Sequence, residues 1–92
     1  MVDNIYIEPK IRVLLIMVRQ DKKWTTAELL QLTNLSENQL YNALFRLKQK
    51  YLINIEHTPI PIRPYKKCLY SLNLKRIDNI KYLLTSRGFK LE

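Results

Sequence analysis

The sequence predicts a mainly α-helical fold closed by one small antiparallel β-hairpin. Three features predict it. Two capping boxes, Thr25-Thr-Ala-Glu28 and Ser36-Glu-Asn-Gln39, each open a run in which apolar residues recur at spacings of three and four. After Lys50 the apolar period drops from about 3.6 to about 2, the change from helix to strand. Two alternating runs then flank Pro59, Pro61 and Pro64. Prolines that close together cannot pair as a central strand and favour a stiff extended loop.

The elements follow in order. Val2–Glu8, with Ile5-Tyr-Ile7, is expected to form an arm or edge strand. Pro9 suits a first helical turn, so a helix is expected over Pro9–Gln20. Ile11, Leu14, Leu15 and Val18 make its core stripe. Val13, Ile16 and Met17 widen the apolar surface beyond one stripe, which predicts cover from more than one side and, in so small a chain, from a second subunit. Asp21-Lys-Lys23 is expected as a turn, with Trp24 stapling the next helix start into the core. Thr25 caps a short helix to about Leu32, carrying Leu29, Leu30 and Leu32. Thr33-Asn34-Leu35 turns into the helix 36–50, in which Leu40, Ala43, Leu44, Leu47 and Tyr51 are expected to form one buried face. Two capped helices joined by so short a turn are the helix-turn-helix signature.

Strands are expected over Leu52–His57, with Ile53 and Ile55 opposed to Asn54 and Glu56, and over Cys68–Leu72, with Tyr70 and Leu72 opposed to Leu69 and Ser71. The wing would reach over 57–68, with the segment between the strands, 58–67, as its rigid, basic tip. A last helix is expected over Leu74–Arg87 with Ile77, Ile80, Leu83 and Leu84 inward and Gly88 as its C-cap.

Ninety-two residues suffice for one core, so 1–92 is expected to be a single domain: an arm (1–8), a helix-and-hairpin body (9–73) and a terminal helix (74–88) that is a candidate pairing element. Sixteen basic residues against eight acidic give a net charge of +8, which favours polyanionic partners. The excess is +1 over residues 1–35, +4 over 36–74 and +3 over 75–92. It therefore lies on the second capped helix and beyond.

Several classes are disfavoured. The one cysteine, Cys68, excludes an internal disulfide and the usual zinc clusters, and reads as a structural thiol. The one glycine excludes Gly-rich phosphate loops. The longest apolar run, Val13–Val18, is too short to span a bilayer, and no secretory signal pattern is visible, so a cytoplasmic location without membrane association is expected. His57 has no Asp, Glu or Cys at ligand spacing along the chain, and Glu28 and Glu37 are first-turn acids that suit helix dipoles. With no catalytic constellation, neither enzyme activity nor a cofactor is expected.

The order arm, helix, helix-turn-helix, hairpin, helix matches the winged-helix arrangement, in which the third helix enters the DNA major groove and the hairpin, or wing, reaches the flanking backbone or minor groove. Leu40-Tyr41-Asn42-Ala43-Leu44 with Leu47 and Leu52-Ile53 resembles the LYpxLxxLxxxGLI block of PadR-like regulators within the wider MarR-like winged helices. Lys67-Cys-Leu-Tyr70-Ser-Leu-Asn73 resembles their returning wing strand with its Tyr-x-Leu-Thr pattern. The resemblance spans about residues 9–73 and implies a DNA-binding transcriptional regulator. Two departures stand out: Tyr51 replaces the family's usual glycine, implying a different turn, and the terminal helix is much shorter than a PadR dimerisation helix.

Together these point to a sequence-specific double-stranded DNA-binding regulator acting as a homodimer. The candidate contacts are Thr25, Thr26, Ser36, Asn38, Gln39, Tyr41, Asn42 and Arg46 on the helix-turn-helix and Arg63, Lys66 and Lys67 on the wing. Amides suit adenine edges, and arginine suits guanine or phosphate. The wing cations would neutralise phosphates. Tyr41 would bridge core and phosphate or serve packing alone, and Phe45 would pack against the wing or a second subunit in preference to a base. A different class of function, a winged helix used for protein interaction in a replication, transcription or partition assembly, accounts for the apolar first helix and for Phe45. The sequence does not reveal a target site or an effector ligand.

Overall fold

The computed structural model describes residues 7–59 and 66–89. Its elements are α1 (Pro9–Met17), β1 (Trp24–Thr25), α2 (Thr26–Thr33), α3 (Glu37–Gln49), β2 (Ile53–Pro59), β3 (Lys66–Leu72), a 3₁₀ turn (Leu74–Arg76) and α4 (Ile77–Ser86). Helix α1 lies against α2, α3 and α4, so it is the central helix of the core. The strands form one antiparallel sheet in the order β1-β3-β2. The whole is a winged helix-turn-helix: α2 and α3 are the helix-turn-helix, and β2 and β3 are the wing.

Both capping boxes form. The Thr25 hydroxyl accepts from the Glu28 N–H at 3.1 Å while Glu28 Oε1 accepts from the Thr25 N–H at 2.9 Å. Ser36 Oγ accepts from the Gln39 N–H at 3.2 Å, and Gln39 Oε1 accepts from the Ser36 N–H at 3.1 Å. Each cap satisfies two donors that a helix start otherwise leaves open, which is why both starts fall where the sequence placed them. Asn34 ends α2 with φ at +60°, a left-handed conformation that asparagine tolerates.

Most of the expected apolar positions are buried; Leu30, Ile77 and Leu83 are half-buried and Leu32 is exposed, and two further corrections follow. On α3, Leu40, Ala43, Leu44 and Leu47 are buried, but Tyr51 is 66% exposed. It lies one residue beyond the helix cap with φ at +60°, which swings its side chain off the stripe. The Tyr51 N–H donates to the Lys48 carbonyl at 2.9 Å and the Leu52 N–H to the Leu47 carbonyl at 3.0 Å, the bonding of a Schellman cap. Tyrosine therefore takes the backbone conformation glycine would take, and the turn is the glycine-type turn after all. Asn73 Nδ2 donates to the Tyr51 carbonyl at 2.8 Å, and the Arg76 guanidinium lies 5.8 Å from the ring centroid.

The second correction concerns α1. The helix is shorter than expected, ending at Met17, and Val13, Ile16 and Met17 are buried within the one chain together with Ile80 and Leu84 of α4. The surplus apolar surface that called for a second subunit is thus covered by α2, α3 and α4. Leu15 and Val18, expected in the core stripe, are only half-buried. They edge an apolar hollow of about 720 Å³ with Leu72, Leu74, Ile77 and Phe89.

The wing has the predicted facing: Ile53 pairs with Leu72 and Ile55 with Tyr70. Its ladder is longer than predicted, running to Pro59 opposite Lys66. Proline is admissible there because β2 is an edge strand. Residues 58, 59, 66 and 67, expected in the tip, are therefore ladder. The arm's Ile5 and Tyr6 and the tip's Pro61, Arg63, Pro64 and Tyr65 lie outside the described residues.

Strand β1 has no counterpart in the expected elements. Trp24 pairs with Tyr70 and Thr25 with Leu69, which makes β3 the central strand. Trp24 is buried as expected, its ring 4.6 Å from the Lys22 ammonium, and its indole N–H meets no acceptor among the described residues. The terminal helix begins with the 3₁₀ turn. Its end is a second Schellman cap, in which the Gly88 N–H donates to the Thr85 carbonyl at 3.0 Å and the Phe89 N–H to the Leu84 carbonyl at 3.1 Å, with Gly88 at φ +92°.

Candidate nucleic-acid interface

A helix advances about 100° per residue, so α3 can be divided by direction. Its buried stripe is Leu40, Ala43, Leu44 and Leu47. Opposite that stripe stand Asn38, Asn42, Phe45 and Gln49, all exposed. On one flank are Gln39 and Arg46, beside the start of α1; on the other are Tyr41 and Lys48, toward the sheet. All of these are exposed too.

The predicted contacts separate by what already occupies them. The Thr25 hydroxyl both accepts from the Glu28 N–H and donates to Glu28 Oε1, so its bonding capacity is used internally. The Thr26 hydroxyl lies beside the Tyr70 phenol, whose proton is held above the usual tyrosine range chiefly by burial. Ser36 Oγ and Gln39 Oε1 are spent on their cap, which leaves Gln39 its Nε2 donors. Asn38, Tyr41, Asn42 and Arg46 make no side-chain hydrogen bond among the described residues. The last four form the uncommitted polar surface of α3. Of the wing set, Arg63 lies outside the described residues. Lys66 and Lys67 are placed by their backbone on β3, opposite Pro59 and Thr58.

Phe45 stays 61% exposed, at the rim of a hollow of about 640 Å³ shared with Tyr51, Ile53 and Ile55. It leans toward the wing without being covered by it.

Two arrangements had no signature along the chain. First, His57 and Cys68, eleven residues apart, are opposite one another in the wing register, with Cys68 Sγ 3.4 Å from His57 Nδ1. The histidine therefore has a cysteine companion across the hairpin; among the described residues no third ligand-type side chain joins them. Second, the first turn of α1 meets the flank of α3 in a hollow of about 320 Å³ lined by Glu8, Pro9, Lys10, Gln39, Asn42, Ala43 and Arg46. The Lys10 ammonium there is pulled below the usual lysine range, first by burial and then by the like charge of Lys50. Glu8 pulls the other way, yet its carboxylate is already matched by Arg87 Nη1 at 2.8 Å. Spacing of three or four along a helix reveals neighbours on that helix. It cannot reveal Lys10 beside the flank of α3.

Among the described residues no helix is long and apolar enough to cross a membrane. No family model and no curated protein matches the chain. Among solved structures it is similar to a PadR-like transcription factor from Bacteroides fragilis, with a TM-score of 0.70 at 21% sequence identity, over 84% of this chain and 77% of the other. That likeness is one of fold.

Proposed function

With the winged-helix fold as premise, we propose that the chain is a sequence-specific double-stranded DNA-binding protein that regulates transcription as a homodimer. The observation that carries this reading is the outer face of α3. Asn38, Asn42 and Arg46 are exposed and uncommitted on the element that a winged helix inserts into the major groove. Surface polarity is common to many helices; a row of planar amide and guanidinium donors with no internal partner is what base edges require. The net charge of +8 supplies the attraction to a polyanion. The similar solved structure is a transcription factor, which favours regulation over other uses of DNA binding.

In this mechanism the two capping boxes hold α2 and α3 at fixed starts, so the amides enter the groove without first having to be ordered. Asn38 and Asn42 bond adenine edges, Arg46 a guanine or phosphate, and Tyr41 a flanking phosphate. The wing cations Arg63, Lys66 and Lys67 contact backbone. Dimer formation would use the apolar hollow between α1 and α4, lined by Leu15, Val18, Leu74, Ile77 and Phe89. Symmetric pairing of two copies suits half-sites about one helical turn apart.

A different class of function draws on Phe45 and Tyr51, two exposed aromatic rings at one hollow beside α3, which suit a protein partner better than a base. Gel shift of a random duplex at several salt concentrations separates the two. Affinity that falls steeply with salt supports the DNA reading, and absence of binding at micromolar protein refutes it. Light scattering tests the dimer: a monomer mass at every concentration would end that part of the proposal.

A further inference from the structure

We infer that His57 and Cys68 form a metal site on the wing, holding one divalent, zinc-like cation through His57 Nδ1 and Cys68 Sγ, with two coordination positions open to solvent. The two residues are opposite one another in the β2–β3 register, and a directly opposed pair has its Cβ atoms about 4.5–5.5 Å apart on one face of the sheet. The side chains meet there, with Sγ 3.4 Å from Nδ1. Zinc bonds thiolate sulfur at about 2.3 Å and imidazole nitrogen at about 2.0–2.1 Å, so two such donors at a tetrahedral angle stand about 3.5–3.6 Å apart. The pair therefore already spans one edge of that tetrahedron to within about 0.2 Å. An ion held in line between the two donors would need them about 4.3–4.4 Å apart, which this pair does not offer.

Donor chemistry sets the class of cation. A thiolate with an imidazole selects zinc, cobalt(II) and their neighbours over magnesium and calcium, which take oxygen. Without metal the same two atoms share a hydrogen bond. On binding, the S–H bond breaks, its proton passes to solvent, and the sulfur and Nδ1 each give a lone pair to the cation. Cys68 is half-buried and packs against the core, whereas His57 is exposed. The sulfur is thus fixed from behind while the outward positions stay wet, the pattern of an open site and not of a closed structural one. Glu56 does not complete the set, because strand alternation puts it on the other face of β2, where it pairs with Lys23 Nζ at 2.7 Å. The cation would bridge β2 to β3 where the ladder approaches the tip, clamping the wing.

The chain carries one cysteine and one histidine, so each spectroscopic signal has a single source. Cobalt(II) titrated into the untagged full chain should produce a thiolate charge-transfer band and the strong visible bands of tetrahedral cobalt, saturating at one ion per chain. Added zinc should bleach both. Cys68→Ser should lose the charge-transfer band. His57→Ala should weaken cobalt binding at least about tenfold, since even an outer partner of a metal ligand is worth about 10–100-fold. Zinc should raise the Tm of the wild type and leave that of Cys68→Ser unchanged, because a ligand that binds only the folded chain stabilises it. If His57→Ala binds cobalt as tightly as the wild type, the thiol acts alone and the inference fails. Saturation at one ion per two chains would overturn the open site, and the weak visible bands of octahedral cobalt would overturn the coordination. A wild type that gives no charge-transfer band at millimolar cobalt ends the proposal. None of these outcomes bears on the DNA reading, which the gel shift decides.

Discussion

Replacing Tyr51 tests how the reading helix is joined to the wing. Tyr51 holds φ at +60°, where an L-residue pays about 1–2 kcal/mol for the approach of its Cβ to the following carbonyl. Glycine pays nothing there, but gives up about 0.5–1 kcal/mol of extra chain entropy on folding. Comparing Tyr51→Gly with Tyr51→Ala removes the ring and its Arg76 contact from both sides, leaving the backbone difference. The glycine variant should then be the more stable by about 1 kcal/mol. In a helix interior the order is reversed, with alanine ahead by about as much. For a domain of this size 1 kcal/mol corresponds to about 4–8 °C in Tm. The measurement is paired thermal and urea unfolding followed by far-UV circular dichroism. Equal stability, or alanine ahead of glycine, would show that Tyr51 does not hold the left-handed conformation and that the Leu47–Leu52 cap is formed another way.

Asn42→Ala should cost about 1–3 kcal/mol on a selected site and little on random duplex, as measured by competition gel shift. Lys66→Ala should weaken both duplexes in equal proportion and lower the salt slope by about one unit; equal ratios for the two variants would remove the division between reading helix and wing. Leu47→Ala, at a fully buried position of α3, should destabilise by about 2–5 kcal/mol in urea unfolding, and a loss below 1 kcal/mol would contradict its place in the core. Glu28 is held below the usual carboxylate range, first by its hydrogen bond from Lys22 and then by the Thr25 N–H. Its folded pKa is depressed, so its contribution is present above the unfolded value of about 4.3 and fades as pH falls through the folded one. The stability gap between wild type and Glu28→Gln should accordingly narrow on acidification below about pH 4.3, and a gap that widens there would reverse the assignment.

Both helix starts, the apolar stripe of α3 and the facing of the wing were legible in the sequence, because each depends on residues two to four positions apart. A capping box such as Ser36 with Gln39 carries its partners with it, and alternation in Ile53–Ile55 is set by the pleat itself. The exposed amide face of α3 followed from the same arithmetic, as the directions opposite Leu40 and Leu47. What tertiary structure decided was where separate segments meet. Strand β1 is two residues long and exists only because Trp24 and Thr25 find Tyr70 and Leu69. Surplus apolar surface on α1 implied a covering partner, but not that α2, α3 and α4 supply it within one chain. Tyr51 kept the glycine-type turn because the Leu52 bond to Leu47 and the Asn73 amide over-determine that backbone, whatever the side chain. The same limit hid His57 beside Cys68 and Lys10 beside the flank of α3. Helix and strand periods order neighbours along one element, whereas a site assembled from two elements depends on how those elements pack.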